Sequence, residues 1–241
     1  MISKDSVALI TGASKGLGLE IARLYANRGA RLVIAARHPG ALDRATAELR
    51  DTTEVVSLAV DASQEAERLV EAGLERFGRI DVLVNNASEL GPSPMPPLES
   101  LSWQDMERIL RVNVTAPLHL TQLVLPRMRS RGSGVIINVT SDAGVEAYAG
   151  WGGYGASKAA LEHMSRVLAE ELSGSGIRVY VVDPGDMNTE MHRNAEPGVD
   201  LSGLPGPEAS APAFVRLVEE ETAPFGRFKA QEMAAFAETG R

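Results

Sequence analysis

Cysteine is absent from the 241-residue chain, which excludes disulfides, thiol nucleophiles and thiolate-bound metals. Histidine is scarce: His38, His119, His163 and His192 are scattered and make no metal-ligand motif, so no metal is expected. Basic residues are outnumbered, 24 Lys and Arg against 32 Asp and Glu, for a net charge of −8. That balance argues against a nucleic-acid or anionic-membrane surface, so any bound anion has to be held locally. Long apolar runs are missing too. The first, Val7 to Ile10, is far too short for a signal-peptide core or a membrane span, and a soluble, cytoplasmic protein is expected. What is present is 44% apolar residues, enough for the core of a single domain over 1–241.

Short β-branched runs recur with amphipathic stretches between them, the pattern of a doubly wound α/β fold with a mostly parallel sheet and helices on both faces. Strands are expected over 7–11, 31–36, 55–60, 82–85, 135–140 and 179–182, and a seventh over 227–230. Leu161, Met164, Leu168 and Leu172 share one face of a helix. Two segments break the pattern: 88–97 is rich in Pro, and 185–212 mixes Gly, Pro, Asp and Asn. Both follow strand ends, where open α/β sheets bind ligands, and are read as substrate lids.

The first strand leads directly into Thr11-Gly12-Ala13-Ser14-Lys15-Gly16-Leu17-Gly18 and a helix through Ile21, Leu24 and Tyr25. Glycines allow the tight turn and let backbone amides approach a pyrophosphate at the helix N-terminus, so Gly12, Ser14, Lys15, Gly16, Leu17 and Gly18 are candidate cofactor contacts. Tyr154 and Lys158 stand four apart, on one face of a later helix. Hydride transfer to a carbonyl leaves charge on oxygen, which calls for a proton donor and a polarising group. Bringing a phenol from about 10 to about 7 takes roughly 4 kcal/mol. One Lys⁺ at about 5 Å in an effective dielectric of about 20 supplies on the order of 3 kcal/mol. Pro117 has no N–H for the carbonyl of Asn113, leaving that carbonyl to accept a water, or else merely kinking a long helix that begins near Trp103.

The glycine spacing Gly-x-x-x-Gly-x-Gly, Asp61, Asn85-Asn86-Ala87, Asn113, Ser141, Tyr154-x-x-x-Lys158 and Pro184-Gly185 followed by Thr189 stand in an order that resembles the classical branch of the short-chain dehydrogenase/reductase family along nearly the whole chain. The resemblance implies a catalytic set of Asn113, Ser141, Tyr154 and Lys158, with Ser141 thirteen residues before Tyr154 and Asn113 holding a water that leads to Lys158. It also implies that Asp61 contacts adenine, Asn86 and Ala87 line the adenosine side, Thr189 meets the nicotinamide carboxamide beside Pro184 and Gly185, and Tyr154 and Lys158 also touch the cofactor. The chain departs from the family where Ser88 replaces the usual glycine after Asn-Asn-Ala. A homo-oligomer, tetramer or dimer, is implied as well, joined through the long helices containing Asn113 and Tyr154.

The second strand ends Ile34-Ala35-Ala36-Arg37, without the acid that would bind the ribose hydroxyls of NAD. Arg37 offers a forked pair of bonds to a phosphate and Lys15 a second cation, so NADP(H) is favoured over NAD(H). The expected activity is a ketone or aldehyde reductase, reversible as an alcohol dehydrogenase. The alternatives are an NAD-dependent dehydrogenase of the same family and a non-catalytic dinucleotide sensor. Trp151, Tyr148 and Trp103 are candidate borders of the substrate site, with Asp142, Glu146 and Asp186 suiting hydroxylated or amino-bearing substrates. Arg37→Asp is expected to weaken NADPH binding at least about tenfold and to spare NADH, measured by fluorescence titration of both. Equal loss for both dinucleotides would contradict the assignment.

Overall fold

Every position of the first strand, β1 (Val7–Thr11), is buried in the computed structural model, which describes Ile2, Lys4 and residues 6–233. Side chains alternate across a strand, so one buried on both faces reads as a continuous apolar run. Strands β2 (Arg31–Ala36), β3 (Val55–Ala59), β4 (Val82–Asn85), β5 (Gly134–Val139), β6 (Ile177–Asp183) and β7 (Phe225–Lys229) complete a sheet in the order β3-β2-β1-β4-β5-β6-β7. Every pairing is parallel, where a mostly parallel sheet was expected. The last strand, expected over 227–230, begins earlier because its pairing with β6 starts at Val179 and Phe225. The remainder of the domain expected over 1–241 lies outside the described residues.

Eight α-helices cover the sheet: α1 (Gly16–Asn27), α2 (Pro39–Arg50), α3 (Ala66–Phe77), α4 (Trp103–Leu110), α5 (Ala116–Arg131), α6 (Gly152–Glu171), α7 (Glu190–Ala195) and α8 (Ala211–Glu219) among the described residues. One face of the sheet, with Ala8, Ile10, Ile34, Val84 and Ile137, packs on Ile21 and Tyr25 of α1, Leu42 of α2 and Phe214 of α8. The other, with Val7, Leu9, Val33, Leu83 and Ile136, packs on Leu69 of α3, Leu120 and Val124 of α5 and Ala169 of α6. Neighbours along β1 thus point into different cores. Among the described residues no helix is long and apolar enough to cross a membrane.

The order of connections reverses between β1 and β4, and this switch point opens a crevice at the carboxyl ends of the strands. Its two lips are laced together. Asn86 Nδ2 donates to the carbonyls of Thr11 (2.9 Å) and Gly12 (3.2 Å), while Thr11 Oγ1 accepts from the amides of Asn86 and Ala87, both at 3.0 Å. Gly12 has φ +69°, and a Cβ there would meet Asn86 Nδ2 at 2.8 Å. The turn needs glycine for both reasons.

The expected long helix from Trp103 neither runs straight through Pro117 nor simply kinks there. Between α4 and α5 it passes through a π-helical turn, Arg111–Thr115, with buried Asn113 at its centre. Proline cannot supply the N–H that the Asn113 carbonyl would bond in a regular α-helix, and a turn widened by one residue accommodates the loss.

Candidate active site

The crevice is a cleft of about 770 Å³. At one end lie Gly12, Ser14, Lys15, Gly16 and Leu17. Gly18, expected among the cofactor contacts, instead backs the turn: a Cβ on it would meet the Gly12 carbonyl oxygen at 2.5 Å. Lys15 occupies the N-cap of α1 and makes no side-chain cap, and the first turn carries no acid. The amides that Ser, Thr or Asp ordinarily satisfy are left for an anion, and the positive end of the helix dipole faces the cleft without a counter-charge. This is the cradle that a pyrophosphate fits.

The two expected phosphate cations are already paired. Arg37 Nη1 lies 3.3 Å from Glu89 Oε2, and Lys15 Nζ lies 2.7 Å from Glu190 Oε2 at the start of α7. Asp61 lines the same cleft. Burial opposes its charge, but hydrogen bonds from Ser63 and Gln64 and the nearby charge of the Arg37 guanidinium prevail and hold its carboxyl below the ordinary range. Asn86, Ala87, Pro184, Gly185 and Thr189 line the same cleft. Gly185 N–H donates to Asp183 Oδ1 at 2.9 Å, and Thr189 caps α7 by accepting from His192 N–H at 3.3 Å.

Ser141, Tyr154 and Lys158 converge at the other end. Tyr154 packs edge-on against Trp151, ring centroids 5.9 Å apart, and Trp151 packs on Tyr148 at 6.3 Å. Trp103 is two-thirds exposed and stands away from the cleft. Lys158 Nζ lies 5.3 Å from the Tyr154 ring centroid and donates to the Val139 carbonyl at 2.8 Å. Burial lowers the Lys158 ammonium to about 7. It also pushes the Tyr154 phenol above its ordinary value; hydrogen bonding from Ser88 and Ser141 works the other way, and the Asp183 and Asp142 carboxylates add to the rise. The lowering that one ammonium is expected nearly to supply is opposed here by burial. With protein groups alone, removing both side chains from water outweighs the field of one ammonium.

Asn113 does not line the cleft; it is buried behind it. Its Oδ1 accepts from Glu89 N–H (2.7 Å) and Ser88 Oγ–H (3.1 Å), and its Nδ2 donates to the Glu89 carbonyl and Ser157 Oγ, both at 2.9 Å. The side chain thus pins the loop after β4 to α6.

Sequence reasoning missed a buried network beneath Ser141. Glu162, 3% exposed and one turn beyond Lys158, accepts from Thr140 Oγ1 at 2.8 Å and from Arg227 Nε at 3.1 Å to each oxygen. Arg227 also reaches the Ser141 carbonyl (3.4 Å) and Asp183 Oδ2 (3.7 Å). An acid on the inward face of a core helix was the available signal. Asp142 lines the cleft and accepts from Ser141 Oγ on one oxygen and Tyr148 on the other, both at 2.8 Å.

Residues 6–200 match the family model described as short chain dehydrogenase. The oxidoreductase YciK of Escherichia coli K12 is 31% identical over 225 residues, which cover 90% of this chain and 88% of that protein. A short-chain dehydrogenase from Streptomyces avermitilis superimposes with a TM-score of 0.80 at 31% identity, over 98% of this chain and 92% of its own. A metagenomic short-chain oxidoreductase in complex with NADP does so with a TM-score of 0.79 at 29% identity, over 95% and 99%.

Arg227→Ala is expected to cost roughly 2 kcal/mol or more by leaving the buried Glu162 carboxylate only the more distant Arg166 guanidinium, at 3.6 Å. Pairing it with Glu162→Gln should recover part of that loss in chemical denaturation. Strictly additive losses would contradict a direct coupling.

Proposed function

This chain belongs to the short-chain dehydrogenase/reductase family of nicotinamide-dependent oxidoreductases, and on that premise we propose that it reduces a ketone or aldehyde with NADPH and oxidises the alcohol in reverse. The observation that carries the reading is the convergence in one cleft of an uncapped helix N-terminus with Ser141, Tyr154 and Lys158. A bound NADPH supplies the hydride. The amides of Gly12, Ser14, Gly16 and Leu17 hold its pyrophosphate, and Arg37 and Lys15 exchange Glu89 and Glu190 for its extra phosphate. Asp61 takes the adenine, Asn86 and Ala87 the adenosine, and Pro184, Gly185 and Thr189 the nicotinamide. An NADP complex of a metagenomic relative of the same fold supports this choice.

Tyr154 gives its proton to the carbonyl oxygen as charge develops there, and Ser141 donates to the same oxygen. A raised phenol pKa suits this direction, because the acid stays protonated throughout neutral pH. The Lys158 ammonium stabilises the phenolate left behind, and the Asn113 carbonyl, denied an N–H by Pro117, accepts a water that leads to Lys158. The 88–97 and 185–212 segments act as lids over the substrate, and Ser93 Oγ donating to the Asn194 carbonyl at 2.6 Å joins them. The NAD-dependent reading keeps one observation in its favour: Arg37 already has Glu89 and Asp61 as anionic neighbours. Small carbonyl or alcohol molecules are the partners in either case, in a cytoplasmic homo-oligomer.

A panel of ketones, aldehydes, sugars, steroids and acyl-thioester ketones, followed by NADPH absorbance, tests the activity. For whichever compound is turned over, Tyr154→Phe should lower kcat at least about a hundredfold with NADPH affinity nearly unchanged. Substantial residual turnover would overturn the role of Tyr154.

A further inference from the structure

Neither Arg227 nor Glu162 lines the cleft, yet their partners Thr140, Ser141 and Asp183 all do. A buried ion pair is weak ground for stability, because apolar residues of similar volume commonly do as well; its best-attested use is to fix a register. The register at stake here is that of the turn carrying Ser141.

The last ladder bond beyond β5 runs from Thr140 N–H to the Val182 carbonyl, at 2.8 Å. The turn that follows is bonded to itself. The Ser141 carbonyl accepts from Gly144 N–H at 3.1 Å, the Asp142 carbonyl from Val145 and Glu146 N–H, both at 2.8 Å, and Ser141 Oγ from Ala143 N–H at 3.2 Å. Such bonds give the turn its shape but not its place. It lies directly on α6 where glycines let the backbones approach: a Cβ on Gly155 would meet the Ala143 carbonyl oxygen at 2.5 Å, and one on Gly144 would meet Ala159 N at 3.2 Å. Contact between small residues sets the separation and still lets the turn slide along the helix. Directional bonds to side chains oppose the sliding. They are Thr140 Oγ1–H donating to Glu162 at 2.8 Å and Arg227 Nη2 donating to the Ser141 carbonyl at 3.4 Å.

Resting on the proposed role of Ser141 as a donor to the carbonyl oxygen, we infer that Arg227 is a positioning residue for that donor: through Glu162 it ties the Thr140–Ser141 segment to α6, the helix that carries Tyr154 and Lys158, so that Ser141 and Tyr154 reach the same oxygen. Glu162 stands one turn beyond Lys158, so a fork anchored on it keeps a fixed relation to phenol and ammonium. Arg227 Nε takes both Glu162 oxygens, at 3.1 Å each, which leaves the Nη2 arm for the Ser141 carbonyl and, at 3.7 Å, for Asp183 Oδ2. A lysine ammonium cannot serve these partners from one planar fork. Arg166 also faces Glu162, but its Nη2 stands farther off, at 3.6 Å, and its side chain is half-exposed. A donor misplaced by about 1 Å can lower a rate on the order of a hundredfold, so small slips of this turn matter.

The test is a double-mutant cycle on kcat, with any carbonyl compound that the protein consumes. Arg227→Lys keeps a cation beside Glu162 and removes the arm on Ser141; Glu162→Gln keeps an acceptor for Thr140 and releases the guanidinium. Each should lower kcat about tenfold, less than the roughly hundredfold or more that loss of an oxyanion donor carries in Ser141→Ala. NADPH affinity should stay within about twofold of wild type. In a Ser141→Ala background neither substitution should lower kcat further, because no donor is left to place. Unchanged kcat in both single variants, or losses that multiply in full with Ser141→Ala, overturn the positioning role. So does a fall in NADPH affinity that matches the fall in kcat. Where Arg227→Lys does not fold, Glu162→Gln carries the same cycle. If Ser141→Ala turns over at the wild-type rate, it is the proposed role of Ser141 that falls, and that of Arg227 with it.

Discussion

The side chain of Asn86 and the hydroxyl of Thr11 clamp the turn after β1 to the turn after β4 through four hydrogen bonds of 2.9 to 3.2 Å. Parallel strands leave their carboxyl ends on one edge of the sheet, and nothing in the ladder itself dictates how the loops beyond that edge stand relative to one another. The clamp supplies that relation. On one side it holds the glycine turn and the uncapped start of α1; on the other it starts the loop carrying Ser88 and Glu89, which Asn113 then fastens to α6. The anion cradle and the proton donor therefore belong to one rigid frame.

Burial sets the electrostatics within that frame. Tyr154 and Lys158 are both withdrawn from water, so the phenol resists ionisation and the ammonium is easily lost. Each is the other's remedy: a phenolate favours the ammonium and the ammonium favours the phenolate. Groups without net charge complete the balance. Ser88 and Ser141 favour the ionised phenol, whereas Asp142 and Asp183 oppose it. That arrangement suits an acid that releases its proton only when a neighbouring oxygen acquires charge.

The parts of this architecture that rest on neighbours in sequence were legible in it. The runs at 7–10 and 82–84 are apolar throughout because both faces of a parallel strand are buried, and the glycine turn follows its strand directly. Tyr154 and Lys158 share a helix face by spacing alone. Ser141 was legible through resemblance, two residues beyond the end of β5. What lay beyond reach depends on pairings across long separations. Arg227 meets Glu162 from 65 residues away, and Arg37 meets Glu89 from 52. Of these four only Glu162, on the inward face of α6, carries a periodic signal, and it does not name its partner. The work of the Asn113 side chain on Ser88 and Glu89 and the π-turn around it could not be read from Pro117. Gly18 shows the reverse error: its place in the motif suggested ligand contact, while the structure makes it a packing position under Gly12.

The central claim is that cradle and proton donor serve one reaction, hydride and proton delivered to the same carbonyl. NADPH deuterated at the transferring position of its nicotinamide ring, incubated with the protein and a carbonyl substrate it consumes, tests this by mass spectrometry of the product alcohol. The account predicts one deuterium on the carbinol carbon, and none when Tyr154 is replaced by Phe. Tight NADPH binding with no deuterium transferred to any carbonyl compound would contradict it and leave a dinucleotide-binding protein without this chemistry.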